Sequence, residues 1–231
     1  MIAKRVFVAM ILALPLPAIA ETVPYLTAEK LDLTRLLPPP PPAGGAVEKA
    51  EIEAVIAAQR GASAERIALG ARDAEEDVFT MFASVMGAAF APANLPVATA
   101  FFTRVGESED QTVDPAKKIF ARVRPWLASS DVKVLGPSTK SGSWPSGHTT
   151  RSTMEAIILA AMVPEKREAI WARQSEYAQS RVIIGMHYPL DLVVGGRAGT
   201  AMATAMFADA AFRADFDRAK AEVRKAMGLD G

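Results

Sequence analysis

The sequence contains only two histidines, His148 and His187, and both lie in segments suited to acid–base or nucleophilic chemistry. His187 stands six residues after Arg181 and four before Asp191. Pro189 favours a helix start between them, because a proline lacks an N–H that would have no intrahelical partner there. Asp191 would then lie in the first turn, where its carboxylate can hold one ring nitrogen and leave the other free to react. Taken alone, the pattern also fits a buried histidine that an aspartate satisfies.

A second segment, residues 141–149, is a Pro-Ser-Gly turn that leads directly into a predicted helix. Free backbone N–H groups and the positive end of the helix dipole form an anion site at such a position. Ser146 adds a hydroxyl, Gly147 allows close approach of the backbone, and His148 stands at the rim as a proton donor. An ordinary serine-capped helix with an incidental histidine is the alternative interpretation.

A third segment supplies two cations, Lys117 and Arg124, which are seven residues apart. This spacing is close to two helical turns and predicts that both project from one face of a helix. A solvated basic face, with Arg122 nearby, is the alternative. Arg181 adds a forked donor suited to phosphoryl oxygens. Together the segments offer the groups that phosphoryl transfer needs, with the cations and backbone amides in the place of a metal.

In order along the chain, the segments resemble the three-part signature of the PAP2 superfamily, which includes phosphatidic acid phosphatases and vanadium-dependent haloperoxidases. The matching patterns are Lys-x6-Arg-Pro, Pro-Ser-Gly-His and Ser-Arg-x5-His-x3-Asp. Residues 142–149 are similar to the Gly-Ser-Tyr-Pro-Ser-Gly-His-Thr block of class A bacterial non-specific acid phosphatases, with Trp144 in place of tyrosine. The resemblance extends over nearly the whole chain after its N-terminal leader.

The resemblance implies a secreted acid phosphatase of broad specificity for phosphate monoesters, with no metal or other cofactor and with phosphotransferase activity as a side reaction. It implies that His187 forms a phosphohistidine, that Asp191 orients it, and that His148 protonates the leaving group and then activates water. The implied phosphate-binding residues are Lys117, Arg124, Ser146, Gly147 and Arg181. A vanadate-dependent haloperoxidase and a non-catalytic anion-binding protein are the alternatives. Three aromatic residues beside the motifs, Trp126, Trp144 and Tyr188, either contact the leaving group or belong to the core.

The N-terminus has the layout of a secretory signal peptide, with basic residues at 4 and 5, an apolar run over 6–14 and Ala-Ile-Ala at 18–20. We therefore expect residues 1–20 to be removed and the protein to be periplasmic. The absence of cysteine excludes disulfides and thiolate chemistry. Because 26 basic residues balance 26 acidic ones, no nucleic-acid polymer is expected as a partner.

Residues 21–45 are predicted to form an extended arm, because the five consecutive prolines at 38–42 favour polyproline II. The arm is either a linker or a segment that lies on the domain with Leu36 and Leu37 docked. Residues 46–231 are predicted to form a single compact all-α domain. The small residues of 192–208 favour a core helix over a membrane span, so no membrane insertion of the mature chain is expected. The family resemblance suggests a homo-oligomer.

The apolar periodicity also predicts where individual helices lie. A helical stretch is expected over 62–82, an acidic surface loop over 106–111, a helix start at Asp114-Pro115 and a long functional loop over 126–144. The later helices are predicted at about 148–162, 165–184, 189–207 and 211–225.

Overall fold

A computed structural model describes residues 23–229, which form a helical protein with no β-strand in that range. The predicted all-α class is confirmed. The predicted signal peptide, residues 1–20, lies outside the described residues.

The described chain forms α-helices joined by loops and by 3₁₀ turns at Pro92–Asn94 and Pro164–Lys166. In chain order they are α1 Leu33–Leu36, α2 Ala46–Gly61, α3 Ala64–Arg72, α4 Val78–Met86, α5 Pro96–Phe120, α6 Pro125–Ala128, α7 Gly147–Met162, α8 Arg167–Ile183, α9 Pro189–Ala208 and α10 Ala210–Ala226. The side chains of Asp77, Ser146 and Asp209 cap α4, α7 and α10 by accepting backbone N–H bonds, as short polar residues do at helix starts. The last four predicted helices agree with α7 to α10 within a few residues.

The centre of the fold is the packing of α7 against α9. Two glycines of α9 let the backbones approach closely, because a Cβ built on Gly195 would lie 2.8 Å from Ser146 O and one on Gly199 would lie 2.4 Å from Thr150 O. Real Cβ atoms do not approach so closely, so a side chain at either position would separate the helices. This contact holds the N-terminal ends of α7 and α9 beside each other.

The predicted core helix over 192–208 is part of α9, whose buried face includes Val194, Ala198, Met202 and Met206. No helix within residues 23–229 has the length and apolar character needed to span a membrane. A second layer, formed by α5 and α10, closes the core with an aromatic cluster in which the rings of Phe101 and Phe212 are 5.2 Å apart. Aromatic pairs at this spacing add to the stabilisation from burial.

Helix α5 corrects two predictions. The expected surface loop at 106–111 is the middle of α5, and Asp114-Pro115 starts no helix, because Pro115 lies inside it. Long-range contacts stabilise this acidic stretch: Glu109 is buried, and its Oε2 lies 3.3 Å from Arg151 Nη2 of α7. The local sequence favours a loop here, but the contact between Glu109 and Arg151, which the local sequence does not reveal, stabilises a helix instead.

The arm at 23–45 lies on the helical body. Tyr25, Leu33 and Leu37 are buried, and Trp144 Nε1 donates a hydrogen bond of 3.0 Å to Pro38 O. The docked interpretation is therefore the better one for this segment. Leu37 docks as expected, whereas Leu36 is 52% exposed, so its predicted docking is wrong.

We expect Gly199→Ala to destabilise the protein by about 1–3 kcal/mol, the usual cost of overpacking a core, because the new Cβ would meet the backbone of α7. Gly196→Ala is the matched control on the same helix, since its Cβ would have no neighbour closer than Thr153 Oγ1 at 3.9 Å. It should be neutral or stabilising by up to about 1 kcal/mol, the helix-propensity gain. Urea unfolding measures both, and equal midpoints for the two variants would contradict the close-packing argument.

Candidate active site

His187 lies at the junction of α8 and α9, where Gly185 has a φ of +81° that favours glycine. The turn brings the backbone N–H groups of Met186 and His187 onto Arg181 O, at 2.9 and 3.1 Å. The ring of His187 is 1% exposed, and its Nδ1 lies 3.2 Å from Asp191 Oδ2 in the first turn of α9. The contact expected from the four-residue spacing is therefore present.

The other oxygen of Asp191 is held by Arg122, for which the sequence also allowed a place on a solvated basic face. Arg122 is buried, and its Nη1 lies 2.6 Å from Asp191 Oδ1. Its Nη2 lies 2.5 Å from Glu51 Oε2, and Glu51 Oε1 accepts the backbone N–H of Leu190 at 2.7 Å. Its guanidinium also stacks on the Tyr188 ring, 3.8 Å from the centroid. Arg122 and Glu51 thus form the support behind the His187–Asp191 pair.

Arg124 contacts the opposite side of the His187 ring, with Nη1 2.8 Å from Nε2. If Nδ1 carries the proton that faces Asp191, the lone pair of Nε2 accepts the hydrogen bond from Arg124. The Arg124 guanidinium is held by the carbonyl oxygens of Ser141, Gly142 and Met186.

The predicted placement of Lys117 and Arg124 on one helix face is wrong. Helix α5 ends at Phe120, with Ala121 in the left-handed region, and Arg124 is extended as the residue before Pro125 usually is. Arg122 and Arg124 are separated by one residue of this non-helical segment. Arg122 contacts Asp191, and Arg124 contacts His187, the partner of Asp191. The local sequence carries no signal for the role of Arg122, because its partners Asp191 and Glu51 are 69 and 71 residues away.

The start of α7 forms the serine-capped turn expected from the sequence. Ser146 Oγ accepts the backbone N–H of Thr149 at 3.3 Å, and Ser146 N donates to Asp191 O at 3.2 Å. A Cβ built on Gly147 would lie 2.8 Å from Lys117 Nζ, so the ammonium rests directly against the first residue of the helix. The positive helix terminus and the ammonium therefore face the same space.

His148 is partly exposed, and both of its ring nitrogens have partners. Nδ1 lies 2.7 Å from Glu76 Oε1 and Nε2 lies 3.1 Å from Ala74 O. Burial lowers the pKa of His148, and Glu76 opposes that shift. Burial would raise the pKa of Glu76, but its hydrogen bond to His148 and nearby cations bring it to about 2. Glu76 therefore stays ionised and stabilises the protonated form of His148.

Glu76 belongs to a segment, residues 73–77, that the sequence analysis placed inside one helical stretch over 62–82. The structure breaks this stretch between α3 and α4. Asp73 accepts the hydroxyl of Ser180 at 2.6 Å and pairs with Arg173, which anchors the segment to α8. Asp77, which caps α4, is the local signal of this break, and the contacts of Asp73 with α8 hold the segment in place.

Arg181 is buried on α8, and its Nη1 contacts Asp73 O at 3.5 Å, while its Nε has no hydrogen-bond partner among the described residues. Burial lowers the pKa of His187 well below its ordinary value, and the charges of Arg124, Arg181 and Lys117 lower it further. Cations from three separate segments therefore disfavour protonation of this imidazole.

The three aromatic residues beside the motifs pack in the protein interior. Trp144 is 2% exposed and Tyr188 is fully buried beneath Arg122, while Trp126 packs against a small hydrophobic cluster around Val55 and Val182. Of the two interpretations, membership of the core is therefore the better one for Trp144 and Tyr188. Within residues 23–229, no group of three or more His, Cys, Asp or Glu side chains is arranged to hold a metal ion.

The sequence profile described as PAP2 superfamily matches residues 80–214. The chain belongs to the PAP2 superfamily. This confirms the resemblance drawn from the three motifs, while the finer class A assignment stays a prediction.

Curated relatives carry phosphatase names. The chain is 31% identical over 171 residues to "Acid phosphatase" of Zymomonas mobilis, covering 70% of this chain and 64% of the relative. It is 29% identical over 125 residues to "Non-specific acid phosphatase" of Providencia stuartii, covering 52% and 50%. The protein of that name from Salmonella typhi is 32% identical over 129 residues, covering 54% and 52%. The matches span less than two thirds of the length of each of these relatives.

We expect Gly147→Ala to weaken the binding of inorganic phosphate about 3- to 10-fold, because the new Cβ would displace Lys117 Nζ. Isothermal titration calorimetry measures the dissociation constant. Gly61→Ala is the control, since a Cβ there would have no neighbour within 4 Å. In a Lys117→Met background the Gly147→Ala change should add no further loss, and full additivity would contradict the proposed contact.

Proposed function

We propose that this chain is a secreted, metal-independent acid phosphatase of the class A type that hydrolyses phosphate monoesters through a phosphohistidine. The observation that carries the proposal is the neutral, buried His187 ring held between Asp191 and Arg124. A second imidazole, His148, belongs to the same electrostatic environment, because its charge lowers the pKa of His187. The phosphatase names of the relatives support the same reaction class.

In the first step, the N–H of Arg124 turns from His187 Nε2 to a phosphoryl oxygen, which frees the Nε2 lone pair. Nε2 then attacks phosphorus while Asp191 stabilises the positive charge that develops on the ring. The P–N bond forms as the P–O bond to the alcohol breaks, and the proton of His148 passes to the leaving oxygen. That oxygen replaces Ala74 O as the partner of His148 Nε2. In the second step, His148 takes a proton from water, which attacks phosphorus and releases His187 and phosphate.

The charge on the phosphoryl oxygens is stabilised by groups that already surround His187. Arg181 Nε is buried and has no hydrogen-bond partner within residues 23–229, as expected of a donor that binds an anionic oxygen. Arg124, Lys117 and the start of α7 at Ser146 and Gly147 complete the cradle. An alcohol that replaces water in the second step would accept the phosphoryl group, which gives the phosphotransferase side reaction.

The periplasmic location is part of the proposal and rests on the signal-peptide pattern of residues 1–20. We also expect an acidic pH optimum, because His148 must be protonated to donate to the leaving oxygen. Its pKa is lowered, so the protonated form that donates to the leaving oxygen is lost as the pH rises towards neutrality.

We expect His187→Ala to abolish hydrolysis of p-nitrophenyl phosphate in the presence of EDTA. His148→Ala should lower turnover of an alkyl phosphate by about 10²–10⁴-fold, the usual contribution of general acid catalysis, and of p-nitrophenyl phosphate by less. Steady-state rates on the two esters measure this difference. Equal losses on both would contradict the acid role of His148, and a metal requirement in the native enzyme would contradict metal independence.

We expect Arg122→Gln to lower kcat and to move the acidic limb of the kcat/KM profile to higher pH. Burial raises the pKa of Asp191 and Arg122 opposes the rise, so removing the guanidinium raises it further and Asp191 loses its charge at a higher pH. The pH dependence of kcat/KM measures the shift. Arg60→Gln, on an exposed position of α2, is the control with the same change of charge and should leave the profile unchanged. A loss of kcat with an unmoved acidic limb would indicate a purely structural role for Arg122.

A further inference from the structure

His148 is held by residues 73–77, a segment between α3 and α4 that lies outside the three sequence motifs and before residues 80–214, which the superfamily profile matches. His148 Nδ1 lies 2.7 Å from Glu76 Oε1, and Nε2 lies 3.1 Å from Ala74 O. The carbonyl of Ala74 stands where the leaving oxygen binds in the proposed reaction, whereas nothing in that reaction displaces Glu76. The contact at Nδ1 is therefore the one that persists while the proton moves.

The backbone around Glu76 is fixed by the helices that form the site. Glu75 O accepts the hydroxyl of Tyr177 on α8 at 2.7 Å, and Glu76 O accepts Arg151 Nη1 of α7 at 3.0 Å. These bonds restrict the movement of the backbone that carries the carboxylate. Although the side chain of Glu76 is 33% exposed, it is therefore a positioned group and not a mobile surface side chain.

Tyr177 also supports the face of the His148 ring. The two ring centroids are 6.0 Å apart and the ring planes differ by 21°, a stacked arrangement. Tyr177 itself is fully buried, so its ring is held in place by the core. An imidazole that is bound at Nδ1 by a carboxylate and along one face by a buried ring has a defined orientation, in which Nε2 is the nitrogen that meets the substrate.

Titratable and charged groups surround the His148–Glu76 pair from each element packed against it. They are Lys117 and Glu109 of α5, Arg151 of α7, Tyr177 and Arg181 of α8, and His187 at the start of α9. Burial raises the pKa of Glu109 to about 8, so this carboxyl adds no negative charge at acidic pH. Burial and the charge of Arg181 lower the pKa of His148. Glu76 and Ala74 O oppose these effects, and Glu76 stays in contact when a leaving oxygen replaces the carbonyl.

We propose that Glu76 is a positioning residue of the proton-transfer steps, which binds Nδ1 of His148 so that Nε2 releases and recovers the proton, and whose charge keeps the ring in its protonated form. This inference rests on the proposed phosphatase function and adds to it a residue outside the three motifs. In the first step the Nε2 proton passes to the leaving oxygen, and the neutral ring keeps its Nδ1 proton on Glu76. In the second step Nε2 takes a proton from the attacking water, which restores the cation.

The first test is the titration of His148 by NMR of ¹⁵N-labelled histidine, which is simple to interpret because the chain has two histidines. The spectrum of His148→Ala identifies the signals of His187. Glu76→Gln keeps an oxygen that accepts from Nδ1 and removes the charge, so it should lower the pKa of His148 by about 1, a modest shift because the pair is partly exposed. Glu75→Gln, at the exposed neighbouring residue, removes the same charge and should leave this pKa unchanged.

The second test is the pH dependence of kcat/KM for an alkyl phosphate. Because the basic limb reports the loss of the His148 proton, Glu76→Gln should move it by about 1 to lower pH, and above the limb kcat/KM should be about 10-fold lower than in the native protein. The loss on p-nitrophenyl phosphate should be smaller, since its leaving group needs less help from an acid. Both esters are measured on one preparation, so a loss of folded enzyme would lower both rates by the same factor.

An unchanged pKa of His148 in Glu76→Gln, or the same decrease in Glu75→Gln, would overturn the inference. A lowered pKa combined with equal losses on the two esters would also overturn it, because the charge of Glu76 would then have no part in proton transfer. In each of these cases hydrolysis by the native protein leaves the phosphatase function standing. If the native protein hydrolyses neither ester, the proposed function itself fails and the inference with it.

Discussion

The buried carboxylate of Asp191 is the group on which the arrangement of the site depends. A carboxylate without solvent is stable only when its oxygens are paired, and Asp191 meets this need through His187, Arg122 and the backbone N–H of Tyr188. Arg122 in turn requires Glu51, which also binds the first turn of α9 through Leu190. Elements far apart in sequence are thus held together by the same charge that orients the candidate nucleophile.

A second network of charged groups, which is partly exposed, surrounds His148. Here Glu76 pairs with His148, and Arg151 ties the backbone of Glu76 to α5. The two imidazoles consequently differ in their electrostatic surroundings. The His187 ring lies among cations that keep it neutral, whereas the His148 ring has a carboxylate that favours its protonated form. This asymmetry matches the different roles that the proposed reaction assigns to the two histidines.

The sequence predicts best those features that are determined within a few residues. The turn into α7 at Ser146 and the contact of His187 with Asp191 depend on capping and on a single helical turn, and both are present in the structure. The course of α5 was mispredicted because Pro115 and its acidic neighbours are local loop signals, whereas ion pairs with Arg151 determine the outcome.

The residues that the sequence analysis missed have partners far away along the chain. Arg122 is 69 residues from Asp191 and 71 from Glu51, and His148 Nε2 contacts a carbonyl 74 residues away. Charged residues such as Arg122 and Glu76 are common on protein surfaces, so their types and positions alone give no sign of burial. Only the assembled fold distinguishes these two from solvated charges.

The glycine contacts between α7 and α9 also determine the distance between the two histidines. Gly195 lies one helical turn after Asp191 and packs against Ser146 O at the start of α7. Ser146 in turn lies two residues before His148. The separation of His187 from His148 therefore depends on the close approach of two helix backbones, which a side chain at residue 195 would prevent. A bulkier residue in place of Gly195 would push the first turn of α7 away from α9 and so change the spacing of the two imidazoles.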